Sequence, residues 1–182
     1  RDRLLTNTDL VGRLAGIPVV VQAVNAANKS GVMRKVLDKT LGVHPKALLP
    51  EYHSKTLRKR AKHRKGNDIA VTPAGRTRGR VALFATCYGN YNEPHIGEDL
   101  IAVFEHNGIP VTLAEKEKCC GMPKLELGDL EAVARAKEAN IPVLAKLVDE
   151  GWDIVAPVPS CVLMFKQELP LMFPDDPDVA KV

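Results

Sequence analysis

The sequence has no apolar run long enough to cross a membrane. Its longest strongly apolar stretch extends from Ile17 to Val21, and loosely to Val24, which is well short of the roughly 20 residues that a spanning helix needs. The first ten residues also lack the apolar core and small-residue cleavage site of a signal peptide. We therefore expect a soluble globular protein in the cytoplasm, and peripheral attachment to the inner face of the cell membrane stays open.

Aromatic residues are scarce, at 4% of the chain. Between Lys55 and Arg80, ten lysines and arginines stand against the single acid Asp68, so this stretch has a net charge of +9 (ten minus one) and the rest of the chain is net acidic. Such a block suits nucleic-acid binding, but it offers no aromatic side chain for stacking on bases. We interpret it as a solvated linker or docking surface, and nucleic-acid binding is the weaker alternative.

Motifs for bond chemistry are missing from the sequence. We find no serine, histidine and acid set, no glycine-rich phosphate loop and no paired carboxylates. None of the five histidines is proposed as a ligand. The sequence therefore gives no reason to expect that this chain alone transforms a substrate.

Cysteine is sparse, but its four positions are informative. Each of the three positions follows a short β-like run: Cys87, the adjacent pair Cys119 and Cys120, and Cys161. There are 31 residues between Cys87 and Cys119 and 40 between Cys120 and Cys161. Adjacent cysteines have α-carbons about 3.8 Å apart, against roughly 4.4–6.8 Å in a disulfide, so a bond within the pair would be strained. The intervals are also far longer than the two to four residues of a zinc knuckle. The pattern favours a metal or redox site that the fold must assemble.

Apolar spacing predicts alternating strands and helices from residue 80 onward. Strands are predicted at 81–85, 109–113 and 153–158. Helices are predicted at 94–107, at 129–151 with an interruption at Pro142, and from Cys161 onward with Ser160 as its cap. This alternation implies parallel strands joined by right-handed crossovers.

The predicted fold is therefore α/β, with a small parallel sheet and flanking helices in residues 80–182. Residues 1–79 are predicted to be a helical and irregular segment followed by the basic linker. Within it, helices are expected through Leu10 to Leu14, from Pro18, and from Ser30 to Leu41. No closing element is predicted in the acidic stretch 175–178.

The four cysteines are expected at one rim of the sheet, because ligands gather beyond the carboxyl ends of parallel strands. A helix that begins at Cys161, and Lys116 and Lys118 before Cys119, would favour thiolates. Four thiolates are the standard complement of an iron–sulfur cluster. A zinc site, and a thiol–disulfide centre with Cys87 facing the pair, remain alternatives.

The pattern Cys-x31-Cys-Cys-Gly-x39-Cys resembles the cysteine-rich CCG domain found in the B subunit of heterodisulfide reductase and its relatives. Within that family the nearer match is to the C subunit of anaerobic glycerol-3-phosphate dehydrogenase. The shared segments run through most of the chain: Thr8-Asp9-Leu10, Leu49-Pro50, Val81 to Phe84, Tyr88 to Pro94, Gly97 with Asp99-Leu100, Glu117 to Pro123, and Ser160-Cys161.

This resemblance implies a non-catalytic electron-transfer component of an oxidoreductase complex. Such a component takes electrons from a flavoprotein dehydrogenase and passes them toward a membrane quinone. The resemblance also implies four metal ligands, Cys87, Cys119, Cys120 and Cys161. The residues implied to shape the cofactor pocket are Tyr88, Gly89, Asn92, Pro94, Gly121 and Pro123.

The chain departs from the family pattern in two ways. The family motif ends Cys-x-x-Cys, whereas here Met164 follows Cys161 at that spacing. Four strong ligands favour an ordinary 4Fe–4S cluster over the five-thiolate non-cubane form. The family's ferredoxin-like segment and second CCG domain are also not in this sequence, so we expect a linker and first CCG domain from a larger subunit. The alternative from another class is an interaction module with a structural or vestigial zinc site and with residues 55–80 as its binding surface.

Overall fold

A three-stranded parallel sheet lies at the centre of the molecule. The computed structural model describes residues 2–62 and 69–182. The strands are β1 (Val81–Leu83), β2 (Val111–Leu113) and β3 (Asp153–Val155), in the order β2-β1-β3. Val81 pairs with Val111 on one side and with Asp153 on the other, and both pairings are parallel. The predicted α/β fold with a small parallel sheet and flanking helices is confirmed.

The central strand explains why the core has two parts. Val81 to Ala85 are all buried, and successive side chains of a strand point to opposite faces. Phe84 therefore packs on one face, where its ring meets that of Phe165 edge to face at 4.9 Å. Leu83 packs on the other face among the side chains of a second cluster: Leu57, Val81, Ala85, Ile101 and Val111.

Helices surround the sheet at the following positions. The chain begins with α1 (Asp2–Leu5), α2 (Thr8–Ala15), α3 (Pro18–Lys29), α4 (Gly31–Leu41) and α5 (Leu57–Ala61). After β1 come α6 (Cys87–Tyr91) and α7 (Pro94–His106), and after β2 come α8 (Met122–Leu125) and α9 (Leu130–Asp149). After β3, α10 (Pro159–Leu163) continues through a π-helical turn (Met164–Glu168) into α11 (Leu169–Met172), and α12 (Pro177–Lys181) follows.

Three local predictions are corrected by the structure. Pro142 does not interrupt α9, because it lies on the exposed side, where water can bond the carbonyl that loses its N–H partner. Ser160 does not cap a helix, since α10 already begins at Pro159. The acidic stretch near the end does carry a helix, α12, which Asp176 caps by accepting the N–H groups of Asp178 and Val179.

The segment before the sheet is built largely as the sequence predicts, with one difference. The helices that begin at Pro18 and just after Ser30 are present, and Gly42 ends α4 in the left-handed region, with φ 69°. In the basic stretch, however, α5 is packed rather than solvated, because Leu57 is fully buried against the core. Residues 63–68 of that stretch, with His63, Arg64, Lys65 and Asp68, lie outside the described residues. The domain boundary near residue 80 stays a prediction.

No single helix in the described ranges is both long and apolar enough to cross a membrane. Among the same residues, only the pair α2 and α3, bent by 106° at their junction, meets the length and composition criteria when taken together.

Candidate metal centre

Cys87 stands directly after β1, at the start of α6. The chain turns sharply there, because Thr86 has φ 62°, a value rare for a residue with a β-carbon. The buried Thr86 hydroxyl accepts the Gly89 N–H at 2.9 Å and so caps α6. This turn aims the first cysteine past the carboxyl end of the central strand.

Cys119 and Cys120 lie in the loop after β2, which Asn140 of α9 holds in place. The buried Asn140 side chain accepts the Lys118 N–H at 2.8 Å and donates to the Cys119 carbonyl at 3.2 Å. Gly121 then has φ 101°, and a β-carbon there would approach Ala136 to 3.3 Å. The backbone conformation therefore favours glycine strongly after the cysteine pair, and the close packing leaves little room for a larger residue.

Cys161 lies in the first turn of α10, after β3, and is 4% exposed. Cys120 is buried as well, whereas Cys87 and Cys119 are half-buried. All four are free thiols. The site therefore has two covered sulfurs and two nearer the surface.

The structure brings the four cysteines near one another. The Sγ atoms of Cys87 and Cys119 are 3.8 Å apart. Cys120 contacts both Cys119 and Cys161, so the sulfurs form a chain in the order 87, 119, 120, 161. Within residues 2–62 and 69–182, no three His, Cys, Asp or Glu side chains converge in the arrangement that holds a single metal ion. The predicted convergence of the cysteines at one rim is thus seen in the geometry.

Negative charge at this site concentrates on Cys119. Hydrogen bonds from the thiols of Cys120 and Cys87 hold the pKa of Cys119 far below its usual range, although burial opposes the shift. The same hydrogen bonds, together with burial, raise the pKa values of Cys87 and Cys120, because those two thiols donate to Cys119. The exposed Lys116 and Lys118 stand before the pair as the sequence shows.

Helix α2 reaches the site from the far end of the sequence. The Asp9 carboxylate accepts the Cys119 N–H at 2.5 Å, and burial raises the pKa of this acid. The Thr8 hydroxyl next to it is buried and has no hydrogen-bond partner by ordinary geometry among the described residues. Thr8 lines one cavity together with Cys87 and another together with Cys119, and it lowers the pKa values of both thiols.

A buried ion pair connects α5 to the loop before the cysteine pair. Arg58 Nη2 lies 2.7 Å from Glu117 Oε1, and the Glu117 side chain is only 5% exposed. Arg58 also donates to the Ala114 carbonyl at 2.8 Å. Burial raises the pKa of Glu117 to about 7 in spite of the arginine.

Of the residues predicted to shape the pocket, Tyr88 and Asn92 line a cavity with Cys87, and Gly121 lines one with Cys119. Tyr88 is exposed, and its hydroxyl approaches Glu93 at 3.4 Å. The Gly89 amide bonds Thr86 rather than a sulfur. Asn92 donates to the Glu51 carbonyl at 2.9 Å and lines a small cavity with Cys87. Pro94 and Pro123 stand in the first turns of α7 and α8.

Among the pocket glycines, Gly121 acts on Cys119 through its backbone. Its N–H lowers the pKa of Cys119. Sequence reasoning did not assign roles to Thr8, Asp9, Asn140 or the Arg58–Glu117 pair, although Thr8-Asp9 and Glu117 belong to the segments that carried the resemblance. Metal binding by the four cysteines stays a prediction.

Comparisons with known proteins also indicate a cysteine-rich domain in this part of the chain. The family profile described as "CCG: Cysteine-rich domain" matches residues 81–166. The chain is 30% identical over 171 residues to the C subunit of the anaerobic glycerol-3-phosphate dehydrogenase of Escherichia coli (strain K12), and the match covers 93% of this chain and 41% of that protein.

A second relative is lactate utilization protein A of Bacillus thuringiensis (strain Al Hakam). It is 37% identical over 102 residues, covering 56% of this chain and 41% of that protein. The chain thus spans about two fifths of the length of these relatives. No solved structure matches it significantly.

Proposed function

Residues 81–166 match the family of CCG cysteine-rich domains, and from this match we propose that the chain is the iron–sulfur part of an oxidoreductase complex that relays electrons. The observation that carries the proposal is the convergence of Cys87, Cys119, Cys120 and Cys161 at one rim of the sheet. Thiolates in this number are the usual ligands of an iron–sulfur cluster.

The residues present suit such a cluster in the number and type of their donor atoms. The four thiols would supply one ligand for each iron of a 4Fe–4S cluster, with the sulfurs of Cys87 and Cys119 moving apart from their 3.8 Å contact to reach separate irons. Met164, which stands at the position of a further family cysteine, is fully buried in the core. We therefore propose four thiolate ligands and the ordinary cubane form. When bound, such a cluster accepts and releases single electrons.

The proposed partner is a flavoprotein dehydrogenase, and the proposed acceptor is a quinone. One relative is named as part of a dehydrogenase, which supports assembly with a subunit that oxidises the substrate. Cys87 and Cys119 are the less covered cysteines, so electrons would enter or leave on their side. No substrate chemistry is assigned to this chain itself.

We place the protein in the cytoplasm, with peripheral attachment to the inner face of the membrane. Support comes from the outer surfaces of α3 and α4, where Val19 is 82% exposed and Val32 is 73% exposed. Lys35 and Lys39 are exposed on α4 as well. Apolar side chains flanked by lysines suit the interface of an anionic bilayer.

A structural zinc site is the second candidate, and one distance favours it. Two thiolates at about 2.3 Å from a tetrahedral zinc ion lie about 3.8 Å apart, which is the separation of the Cys87 and Cys119 sulfurs. In that case residues 55–80 would serve as the binding surface of an interaction module. The two candidates differ in metal, in sulfide content and in redox activity.

The experiment is anaerobic reconstitution with ferrous iron and sulfide, followed by reaction of the dithionite-reduced protein with the soluble quinone menadione. We expect a brown protein whose visible absorption is bleached by dithionite and restored by menadione. Cys119→Ser should abolish the absorption. Met164→Leu should retain it, because this control repacks the core without removing a proposed ligand. A colourless wild-type protein that holds zinc and no sulfide would contradict the proposal.

A further inference from the structure

Helix α2 forms a wall of the cysteine site although it lies some 70 residues before the segment that matches the family profile. The Asp9 carboxylate accepts the Cys119 N–H at 2.5 Å, a contact that spans 110 positions of the sequence. This hydrogen bond occupies the Cys119 N–H, which could otherwise donate to a sulfur. It also places a carboxylate next to one of the proposed ligands, Cys119.

Thr8 is the second residue of α2 at the site. Its hydroxyl oxygen is buried and has no hydrogen bond by ordinary geometry within the described part of the chain. Thr8 lines a cavity of about 90 Å³ together with Cys87, and it lines a larger one together with Cys119. A buried hydroxyl without a partner is unfavourable, so the sulfurs beside it are the expected acceptors.

We propose that α2 is a working part of the metal centre, in which the Thr8 hydroxyl donates its one hydrogen bond to the sulfur of Cys87 or of Cys119 and the Asp9 carboxylate adds a negative charge. The two residues would then tune the reduction potential of the cluster in opposite directions. This inference rests on the proposed function.

The signs follow from electrostatics. Reduction adds one negative charge to the cluster, and a hydrogen bond donated to a ligand sulfur stabilises that charge, which raises the potential. A neighbouring carboxylate repels the added electron and lowers the potential. Thr8 and Asp9 are therefore positioning residues with opposite electrostatic effects on one centre.

The test is a potentiometric titration of the reconstituted protein and its variants, followed by electron paramagnetic resonance. Thr8→Val removes the hydroxyl with little change in shape, and we expect the reduced form to be disfavoured tenfold, which is about 59 mV for one electron. Thr8→Ser keeps the donor and should stay near the wild-type potential. Asp9→Asn keeps an acceptor for the Cys119 amide and should raise the potential.

Thr40→Val is the matched control, because its hydroxyl donates to the Val36 carbonyl on α4 at 2.8 Å. Its potential should equal that of the wild type. Iron and sulfide content, with circular dichroism, show whether each variant is folded and loaded. Equal potentials for Thr8→Val and Thr8→Ser, or shifts of the same sign at Thr8 and Asp9, would overturn this inference alone. Wild-type protein without a cluster would overturn the proposed function and this inference together.

Discussion

Asn140 is the side chain on which the shape of the Cys119–Cys120 loop depends. It is 1% exposed and bonds both the Lys118 N–H and the Cys119 carbonyl. Asn140→Ala should leave these backbone groups without partners and lower the free energy of unfolding by about 2 kcal/mol. Urea denaturation of the metal-free protein measures this loss.

The matched control for that change is Asn107→Ala. The Asn107 side chain also bonds a backbone carbonyl, that of Val103, but at an exposed site, where water can replace it. We expect a change within about 0.5 kcal/mol. If both alanine variants lost the same small amount, Asn140 would not be the organising residue of the loop.

The sequence predicted where the four cysteines lie, but it did not predict the side chains that hydrogen-bond the loop around them. Four cysteines after three apolar runs could be placed at one rim, because strand direction alone determines that geometry. Asn140 and Asp9 have no local signature, since their partners lie 21–22 and 110 positions away. A side chain that acts only through a long-range contact cannot be identified from its neighbours in the sequence.

Helix α5 packs against Gly97 of α7 through the side chain of Leu57. A β-carbon at Gly97 would lie 2.2 Å from Leu57 Cδ2, and Leu57 is fully buried. Leu57→Ala should cost about 3 kcal/mol. Gly97→Ala alone should cost about 1–3 kcal/mol through overpacking.

The double variant separates this contact from general damage. In the Leu57→Ala background the clash is gone and alanine favours the helix over glycine, so Gly97→Ala should no longer destabilise. Urea unfolding of the four proteins gives the coupling energy, which we expect to exceed about 1 kcal/mol. Strict additivity would mean that α5 does not pack on Gly97 in solution.

Helix α12 is held to α9 by a charge pair that depends on pH. Asp176 accepts from Lys137 Nζ at 2.5 Å, and this bond is the main reason that the pKa of Asp176 is lowered from 3.8. A carboxyl with a lowered pKa stabilises the folded state above its unfolded pKa, and this contribution is lost as pH falls through the folded value. Acid should therefore loosen α12.

Thermal unfolding of Asp176→Asn tests this contact. Asparagine keeps an oxygen for the Asp178 and Val179 amides but loses the charge. At neutral pH the variant should unfold at a lower temperature than the wild type. The difference should begin to shrink as the pH falls below about 3.8, where the unfolded carboxyl takes up a proton, and should vanish below the lower pKa of the folded carboxyl. A difference that does not change with pH would mean that the charge pair contributes nothing.

Helices and strands were predictable where the apolar period was long, and their ends were not. The helix from Pro94 and the three strands follow directly from spacing, although each strand pairs over only three residues. The predicted interruption at Pro142 was wrong because a helix tolerates an exposed proline when the carbonyl that loses its N–H partner can bond water. The burial of Leu57 was not predicted, because its neighbours in the sequence are basic and the whole stretch was interpreted as solvated.

At the scale of the whole molecule, the segment before the sheet and the cysteine-rich part meet at the site. Asp9 contacts Cys119 and Arg58 contacts Glu117, so two separate helices of the first segment close around the same loop. Capping residues and apolar spacing indicated a helical segment, and composition indicated a linker. Neither could show that these pieces pack against the cysteines.

Loading the site should therefore protect α2 more than α4. Metal that binds only the folded state stabilises it, and the effect should be largest in elements that touch the cysteines. Hydrogen exchange of metal-free and reconstituted protein, followed by mass spectrometry, should show slower exchange in residues 8–15 and little change in residues 31–41. Equal protection of both helices would contradict a local role for α2.

Iron and acid-labile sulfide analysis of the anaerobically reconstituted chain, together with its electron paramagnetic resonance spectrum after reduction, shows directly whether the four cysteines hold an iron–sulfur cluster. We expect about four irons and four sulfides per chain and a paramagnetic signal that Cys87→Ser or Cys161→Ser removes. One zinc per chain, with no sulfide and no signal, would contradict an iron–sulfur centre.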